Sequence, residues 1–396
     1  MFRLILILAW ALLSLFIKVQ GQAVKVLIEP FSQLQRVTFT AIGTETWVTV
    51  NDSFPETILT LSPGQQVQLT LIGSRVRLSQ GSKSLGDWPS LLFWTADSTG
   101  GFKLGQEPAK NTKHYFGHLQ IQVARQKLKL VNLLWMEQYV KGVVAAEGGI
   151  YKTPEFLKVQ AICSRTYAVR NLGKYAKEGF DLNDKVDCQV YKGVPQASSL
   201  IDQAVAQTQG LILTDPYGEV IDAVFSANCG GQSANSEDVW SSPSAYLRST
   251  PSYDQYREFR NSEWSYNLSR LDFLRILSGY YHFPVYEYTI IPDISGRVKE
   301  LQLNGDPRWV ISGTEIRQLL KLKSTRFRIR EFENQCFISG QGFGHGVGMC
   351  QDGAYKLSTL GWSHEEILRH FYAGVKLITI DSFLSNQRTN FHLAAE

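Results

Sequence analysis

A chain of 396 residues is long enough to bury a substantial core and points to more than one domain. With 44% hydrophobic and 19% charged residues it reads as an ordinary folded protein, which excludes an intrinsically disordered chain. A formal charge of only +4 with no long basic run argues against nucleic acid as a partner and leaves room for a mild attraction to an anionic envelope polymer.

The first stretch, residues 1–23, reads as an export signal: Arg3 precedes the apolar run Leu4 to Ile17, and Gly21 and Ala23 offer a cleavage point. The run is shorter than the ~20 apolar residues a spanning helix needs, so the mature chain is expected without a membrane span, exported to the periplasm or cell-wall space. Cys163, Cys188, Cys229, Cys336 and Cys350 permit up to two disulfides in such a compartment. Cys163, set among Val159, Ala161 and Ile162, is most simply a small buried hydrophobe.

Residues 24–108 read as a small all-β domain. Val67, Leu69 and Leu71 alternate with polar residues, and Ser62-Pro63-Gly64 punctuates the runs. Trp88, Phe93 and Trp94 could stack on sugars or pack into the core. A hairpin is expected over His114 to Asn132, with Leu119, Ile121 and Val123 alternating and then Leu128 and Leu130. It feeds the run Tyr139 to Gly149, where the apolar Val143, Val144, Ala145 and Ala146 lead to Glu147 and a glycine pair. Glycine pairs end helices through left-handed backbone angles. A carboxylate there is anchored by apolar packing and partly desolvated, which raises its pKa toward what a general acid needs; the alternative is a solvated helix end.

Pro154 opens a second helix at a favoured first-turn position, and Leu157, Ala161, Ser164 and Ala168 share one face of it. Arg165 and Tyr167 on this helix could orient a substrate or serve the fold. A loop over Phe180 to Gly193 carries Asp181, Asp184, Asp187 and Cys188, followed by a helix over Ile201 to Gln209. A hairpin is expected from Leu211–Thr214 to Val220–Phe225, running into Asn228-Cys229-Gly230-Gly231. The region 244–330 is less well defined, with a helix over Asn267–Ser278, a strand over Val298–Leu303 and a helix over Thr314–Leu320. Alternating glycines then surround one histidine in Gly340-Gln-Gly-Phe-Gly-His-Gly-Val-Gly-Met349, which lacks the Lys-Ser/Thr ending of a phosphate loop and the spacing of a metalloprotease histidine pair. A helix over His364–Tyr372 closes the domain at about 380, leaving residues 381–396 as a tail.

Taken in order, the blocks Tyr139–Glu147, Pro154–Ala168, Gln189-Val-Tyr-Lys-Gly193, Cys229-Gly-Gly231, Val239-Trp240, Lys323–Phe327 and Gly344–Met349 resemble the stage II sporulation protein D / LytB family of bacterial cell-wall proteins. The resemblance covers roughly Tyr115 to Leu377, and implies an α+β domain over 109–380 built of helices and antiparallel strands. It implies action on peptidoglycan glycan strands: sporulation protein D is a lytic transglycosylase of strands stripped of stem peptides, and LytB-type members enhance a separate amidase. By motif position Glu147 matches the family's catalytic glutamate. The remaining motif positions give Arg165, Tyr167, Gln189, Tyr191, Cys229, Gly230, Gly231, His345, Gly346, Met349 and Gln351 as candidate substrate-binding residues. One carboxyl group suffices for transglycosylation, whereas hydrolysis ordinarily uses two, for which Asp181, Asp184 or Asp187 would have to approach in space.

The chain departs from the family at two places. Some members hold zinc near the segment Asp181–Tyr191; here Asp187 stands where they have His, and Asn183 takes the place of a further Cys. Too few soft ligands remain for a four-ligand site, so no metal and no cofactor is expected, and Cys188 with Cys229 reads as a disulfide or as two free thiols. Gly148 stands where a methionine usually follows the glutamate, removing a hydrophobic neighbour. A non-catalytic amidase activator and a plain glycan-binding module are the alternatives to the enzyme.

Overall fold

A computed structural model describes residues 23–50, 56–97, 99–106, 112–194, 198–240, 242–255 and 259–385. Residues 1–22 of the expected export signal and the C-terminal tail from 386 therefore lie outside the described residues; Ala23 opens a strand, and the part of the tail before 386 is helical to 385. Helices and mostly antiparallel strands in six separate sheets make an α+β chain, as expected. Among the described residues no helix is long and apolar enough to cross a membrane. The chain divides into two compact units, one of residues up to 150 plus 168–210, the other of 151–167 plus everything from 211.

The first unit is built on a seven-stranded and a six-stranded sheet. Alternation puts Val37, Phe39 and Ala41 inside from one sheet and Leu91, Phe93, Leu119 and Ile121 inside from the other. Phe39 meets Phe93 at 4.2 Å between ring centres, so Phe93 is a core residue, while Trp94 lies flat on His118 at 3.9 Å. The hairpin forms with Ile121 opposite Leu130 and Val123 opposite Leu128. Its turn residues Arg125 and Gln126 both sit at positive φ, 50° and 58°.

The domain boundary expected at 108/109 does not divide the structure. Strand Ser90–Thr95 pairs with His118–Ala124, Gly101–Gly105 pairs with Lys113–Phe116, and Ala23–Leu27 pairs with Lys127–Trp135. A strand edge needs a partner, and here the partners come from beyond the expected boundary. The same unit takes in the loop after Phe180 through Leu182–Asn183, which adds to Ala23–Leu27 in parallel.

The second unit holds helix Pro154–Arg170 for most of its length and the helices Gln351–Thr359 and His364–Phe371. The last of these starts at a capping box: Ser363 Oγ accepts the Glu366 amide at 3.3 Å while the Glu366 carboxylate accepts the Ser363 amide at 2.8 Å. The hairpin expected over Leu211–Phe225 is largely replaced by other pairings. Leu211–Thr214 pairs with Lys376–Thr379, and Phe225–Ser226 pairs in parallel with Met349–Cys350; only the bridge Thr214–Val220 survives from it. The region 264–340 carries two three-stranded sheets and two helices over a core that includes Phe273, Leu277, Leu301, Leu303, Ile311 and Ile338.

His118 has a measurable consequence. Its Nδ1 accepts the Thr95 amide at 3.1 Å, and burial lowers its pKa from 6.5 to about 4, so it folds as the neutral ring. The unfolded chain binds the proton first as pH falls, so this stability is complete above pH 6.5 and is lost progressively toward pH 4. Urea unfolding should lose about 1–3 kcal/mol over that window through this residue, and His118→Gln should flatten that part of the slope.

Candidate active site

Helix Met136–Gly148 buries Met136, Tyr139, Val140, Val143 and Val144, an i, i+3, i+4 stripe. Glu147 takes the next place on that stripe, which is why a charged side chain near the end of the helix is half-buried. Its Oε1 accepts the backbone N–H of Val190 at 2.8 Å. Burial raises the carboxyl above its ordinary value, against the opposing pull of that N–H and of the Lys192 ammonium.

Val190 is held in turn by the residues on either side of it. Tyr191 is buried and donates to Asn132 Oδ1 at 3.0 Å, and Asn132 donates to the Phe116 and His118 carbonyls at 2.8 and 3.0 Å from within the large sheet. Gln189 donates to the Tyr139 hydroxyl at 3.4 Å, and the Tyr139 and Tyr191 rings pack at 5.4 Å. A continuous chain thus runs from the sheet through Asn132, Tyr191 and Val190 to the carboxyl. The gap for Tyr191 exists because position 142 has no side chain: a Cβ there would stand 2.4 Å from Tyr191 Cε2. Gly142→Ala should therefore cost about 1–3 kcal/mol in urea unfolding despite alanine's better helix propensity.

The glycine pair after Glu147 works differently from expectation. Gly148 is still helical and Gly149 caps the helix at φ −66°, in the right-handed region. A side chain is excluded there by crowding, since a Cβ on Gly149 would lie 2.4 Å from the Ala145 carbonyl oxygen.

The three aspartates of the neighbouring loop are engaged elsewhere. Asp181 accepts the Lys25 and Gly173 amides at 2.9 and 3.1 Å, and Asp187 accepts Asn183 Nδ2 at 2.7 Å and the Tyr175 hydroxyl at 3.1 Å. Asp184 accepts the Glu29 amide at 3.2 Å, and burial pushes its pKa up to about 6.

The other expected binding residues belong to the second unit, and most are enclosed. Arg165 is fully buried and donates to the Leu211 carbonyl at 3.1 Å; Tyr167 and Met349 are buried as well, 8% and 0% exposed. Gln351 donates to Gln160 Oε1 at 3.1 Å. His345 Nδ1 accepts the Val347 amide at 3.1 Å, its ring lies 5.1 Å from Trp240, and burial lowers its pKa to about 4, so it is a neutral hydrogen-bonding ring at neutral pH. Gly346, at φ 78°, lies against the buried Arg297 guanidinium, which a Cβ would approach to 2.3 Å. The glycine lattice is thus a device for close packing inside the protein.

Cys229, Gly230 and Gly231 form a turn whose amides converge on one buried carboxylate. Asp254 accepts the Gly230 amide at 3.0 Å, the Gly231 amide at 2.6 Å and the Cys229 amide. Asp352, also buried, accepts Asn228 Nδ2 at 2.7 Å and the Tyr151 hydroxyl, and burial raises its pKa. The parts played by Val190, Asn132, Asp254 and Asp352 have no side-chain signal in the sequence. Val190 acts through its backbone, which a side chain does not advertise, and isolated aspartates carry no motif.

Of the two readings for Cys188 and Cys229 the structure has the thiols: no disulfide joins them, and all five cysteine sulfurs are unbonded in it. Among the described residues one group of metal-type donors converges, Cys229, Asp254 and Cys350, with ligand atoms within 4.8 Å of one another. A metal fits it poorly. Both Asp254 oxygens already accept hydrogen bonds, from Cys229, Gly230 and Cys350 on one and from Gly231 and Ser252 on the other. Two thiolates and a carboxylate with no fourth protein ligand fall short of a closed zinc site.

Comparison with known proteins adds an independent finding. Residues 124–214 match the family model described as stage II sporulation protein, and residues 292–348 match a domain of unknown function. The stage II sporulation protein D of Bacillus amyloliquefaciens is 31% identical over 337 residues, covering 75% of this chain and 93% of that protein. An uncharacterized protein of Brachyspira hyodysenteriae is 31% identical over 73% of this chain and 76% of its own length. An amidase enhancer of Bacillus subtilis is 27% identical over 60% of this chain and 40% of its own length.

Proposed function

Because the chain belongs to the stage II sporulation protein D family, we propose that it is an exported lytic transglycosylase of peptidoglycan, cleaving glycan strands to 1,6-anhydro-muramic ends with Glu147 as acid and then base. The observation that carries this reading is a carboxyl on the buried stripe of its helix, fixed by the Val190 amide at 2.8 Å and raised in pKa by burial. A raised pKa keeps a proton available closer to neutral pH, as a general acid requires.

In the proposed reaction the protonated carboxyl of Glu147 gives its proton to the glycosidic oxygen as the bond from that oxygen to C1 breaks. The carboxylate left behind takes the proton of the same sugar's C6 hydroxyl, and O6 bonds to C1 to close the anhydro ring. Glu147 ends protonated, and no water is consumed. With Asp181, Asp184 and Asp187 committed to other partners, a one-carboxyl reaction is favoured over hydrolysis with a carboxyl pair. The substrate class is glycan stripped of stem peptides. No metal or cofactor enters the scheme.

A second reading, a wall-binding enhancer of a separate N-acetylmuramoyl-L-alanine amidase, is favoured by the similarity to the Bacillus subtilis amidase enhancer. One assay separates them. Incubated with denuded strands, the protein should release anhydro-muramic ends detectable by mass spectrometry. Reducing ends would mean hydrolysis, and intact strands with binding and amidase stimulation would replace the enzyme by the enhancer.

A further inference from the structure

The glycine turn and the strand Met349–Cys350 bring two thiols together that the proposed chemistry does not use. Cys229 and Cys350 are both fully buried, and their sulfurs lie within 4.8 Å of each other and of Asp254. Their backbones are fixed on both sides: Phe225–Ser226 pairs in parallel with Met349–Cys350, the Asp352 amide donates to the Ala227 carbonyl at 3.0 Å, and Asn228 bridges to Phe343. Cys350 donates to Asp254 at 3.0 Å and also accepts the Gly353 amide at 3.4 Å as the helix cap.

We propose that Cys229 and Cys350 are a disulfide pair in the mature protein, a covalent staple between the Cys-Gly-Gly turn and the start of helix Gln351–Thr359. To bond, the sulfurs close from within 4.8 Å to about 2 Å, with rotation about the two Cα–Cβ bonds as the motion. The product is neutral, so it suits a site with no solvent access better than two thiolates around a metal would. Asp254 gives up one hydrogen bond, from Cys350, and keeps its three backbone donors. The reaction is thiol–disulfide exchange: an external disulfide, such as an envelope oxidoreductase or oxidised glutathione, is reduced to two thiols as the Cys229–Cys350 bond forms, and it takes both thiol protons. The bond closes a loop of about 120 residues that contains the whole Trp264–Gly340 region, so it restricts the unfolded chain strongly. The buried sulfurs mean that it forms during folding and resists reductants afterwards.

The inference assumes the export reading for its oxidising compartment, and the test treats the two apart. The full chain is produced with export, denatured with iodoacetamide and no reductant, digested and mapped by mass spectrometry. The peptides bearing Cys229 and Cys350 should be recovered linked and two hydrogens lighter, with Cys163, Cys188 and Cys336 alkylated. Reduction should lower Tm by on the order of 10 °C. In parallel, reduced chain is refolded in a glutathione redox buffer, where the same link is expected. A link after refolding alone supports the pairing and removes the export reading. Alkylation of all five cysteines in both arms, a link from Cys229 to Cys188, or a stoichiometric metal released with both thiols overturns it.

Discussion

Glu147→Gln is expected to abolish the release of 1,6-anhydro-muramic ends, by roughly 10³-fold or more, in a chain that stays folded. Glutamine keeps the shape and the acceptor for the Val190 amide, which lies 2.8 Å from Oε1. It lacks the proton to give and the charge to reclaim one, so both halves of the proposed cycle stop together. The same substitution carries a signature in stability that a purely structural glutamate would not give. Burial raises the Glu147 pKa in the folded state, so the ionised form is less favourable folded than unfolded. The stability tied to this group is present in full below the unfolded pKa and is lost as pH rises through the folded one. At neutral pH the Gln variant should therefore be as stable as the parent or more so, and its stability should no longer decline over that window. Activity lost with stability kept or gained is the pattern of a residue retained for chemistry. Retention of anhydro products by the variant would remove Glu147 from the mechanism.

Part of this site was legible because helix periodicity projects a short sequence onto one face. Met136, Tyr139, Val140, Val143 and Val144 occur at the spacing of a buried stripe, and Glu147 falls on its continuation. The two strands of the hairpin were legible for the same kind of reason, a period of two along Leu119, Ile121 and Val123 and along Leu128 and Leu130, while their register, Ile121 opposite Leu130, comes from the structure. Strand partners were not, because alternation tells a strand which face to bury and says nothing about which strand lies beside it. Hence Ala23–Leu27 joining Lys127–Trp135, and Leu211–Thr214 joining Lys376–Thr379, had no local signal. The hairpin turn at Arg125-Gln126 takes positive φ without the usual Gly or Asn, so composition gave no sign of it. Most motif residues marked as binding are enclosed for a related reason: close packing against a neighbour demands a given residue as strictly as a ligand does. Gly346 against Arg297 is such a case.

The largest loss of stability is expected at a residue that no motif contains. Asp254 is completely buried, and its carboxylate accepts the amides of Cys229, Gly230 and Gly231, the hydroxyl of Ser252 and the thiol of Cys350. Gly230 and Gly231 sit at φ 72° and 102°, so their amides point inward in a geometry that helix or sheet pairing cannot satisfy. Asp254→Ala strands the Cys229 and Gly231 amides at once, while the Gly230 amide keeps Asn228 Oδ1 at 2.9 Å. Each unsatisfied donor costs about 1–3 kcal/mol, so the sum is about 2–6 kcal/mol, above the usual effect of one substitution. Asp254→Asn separates charge from acceptor count. The amide retains one oxygen but turns an NH₂ toward amides that are themselves donors, so it should recover only a minor part of the loss. Urea unfolding of the full chain, monitored by tryptophan fluorescence, measures both, and a loss below about 1 kcal/mol for the alanine variant would mean that water satisfies the turn instead. The comparison also bears on catalysis: Glu147 belongs to the first unit and Asp254 to the second, so a folded fraction of Asp254→Asn that still released anhydro ends would show that the turn supports the protein without taking part in the reaction.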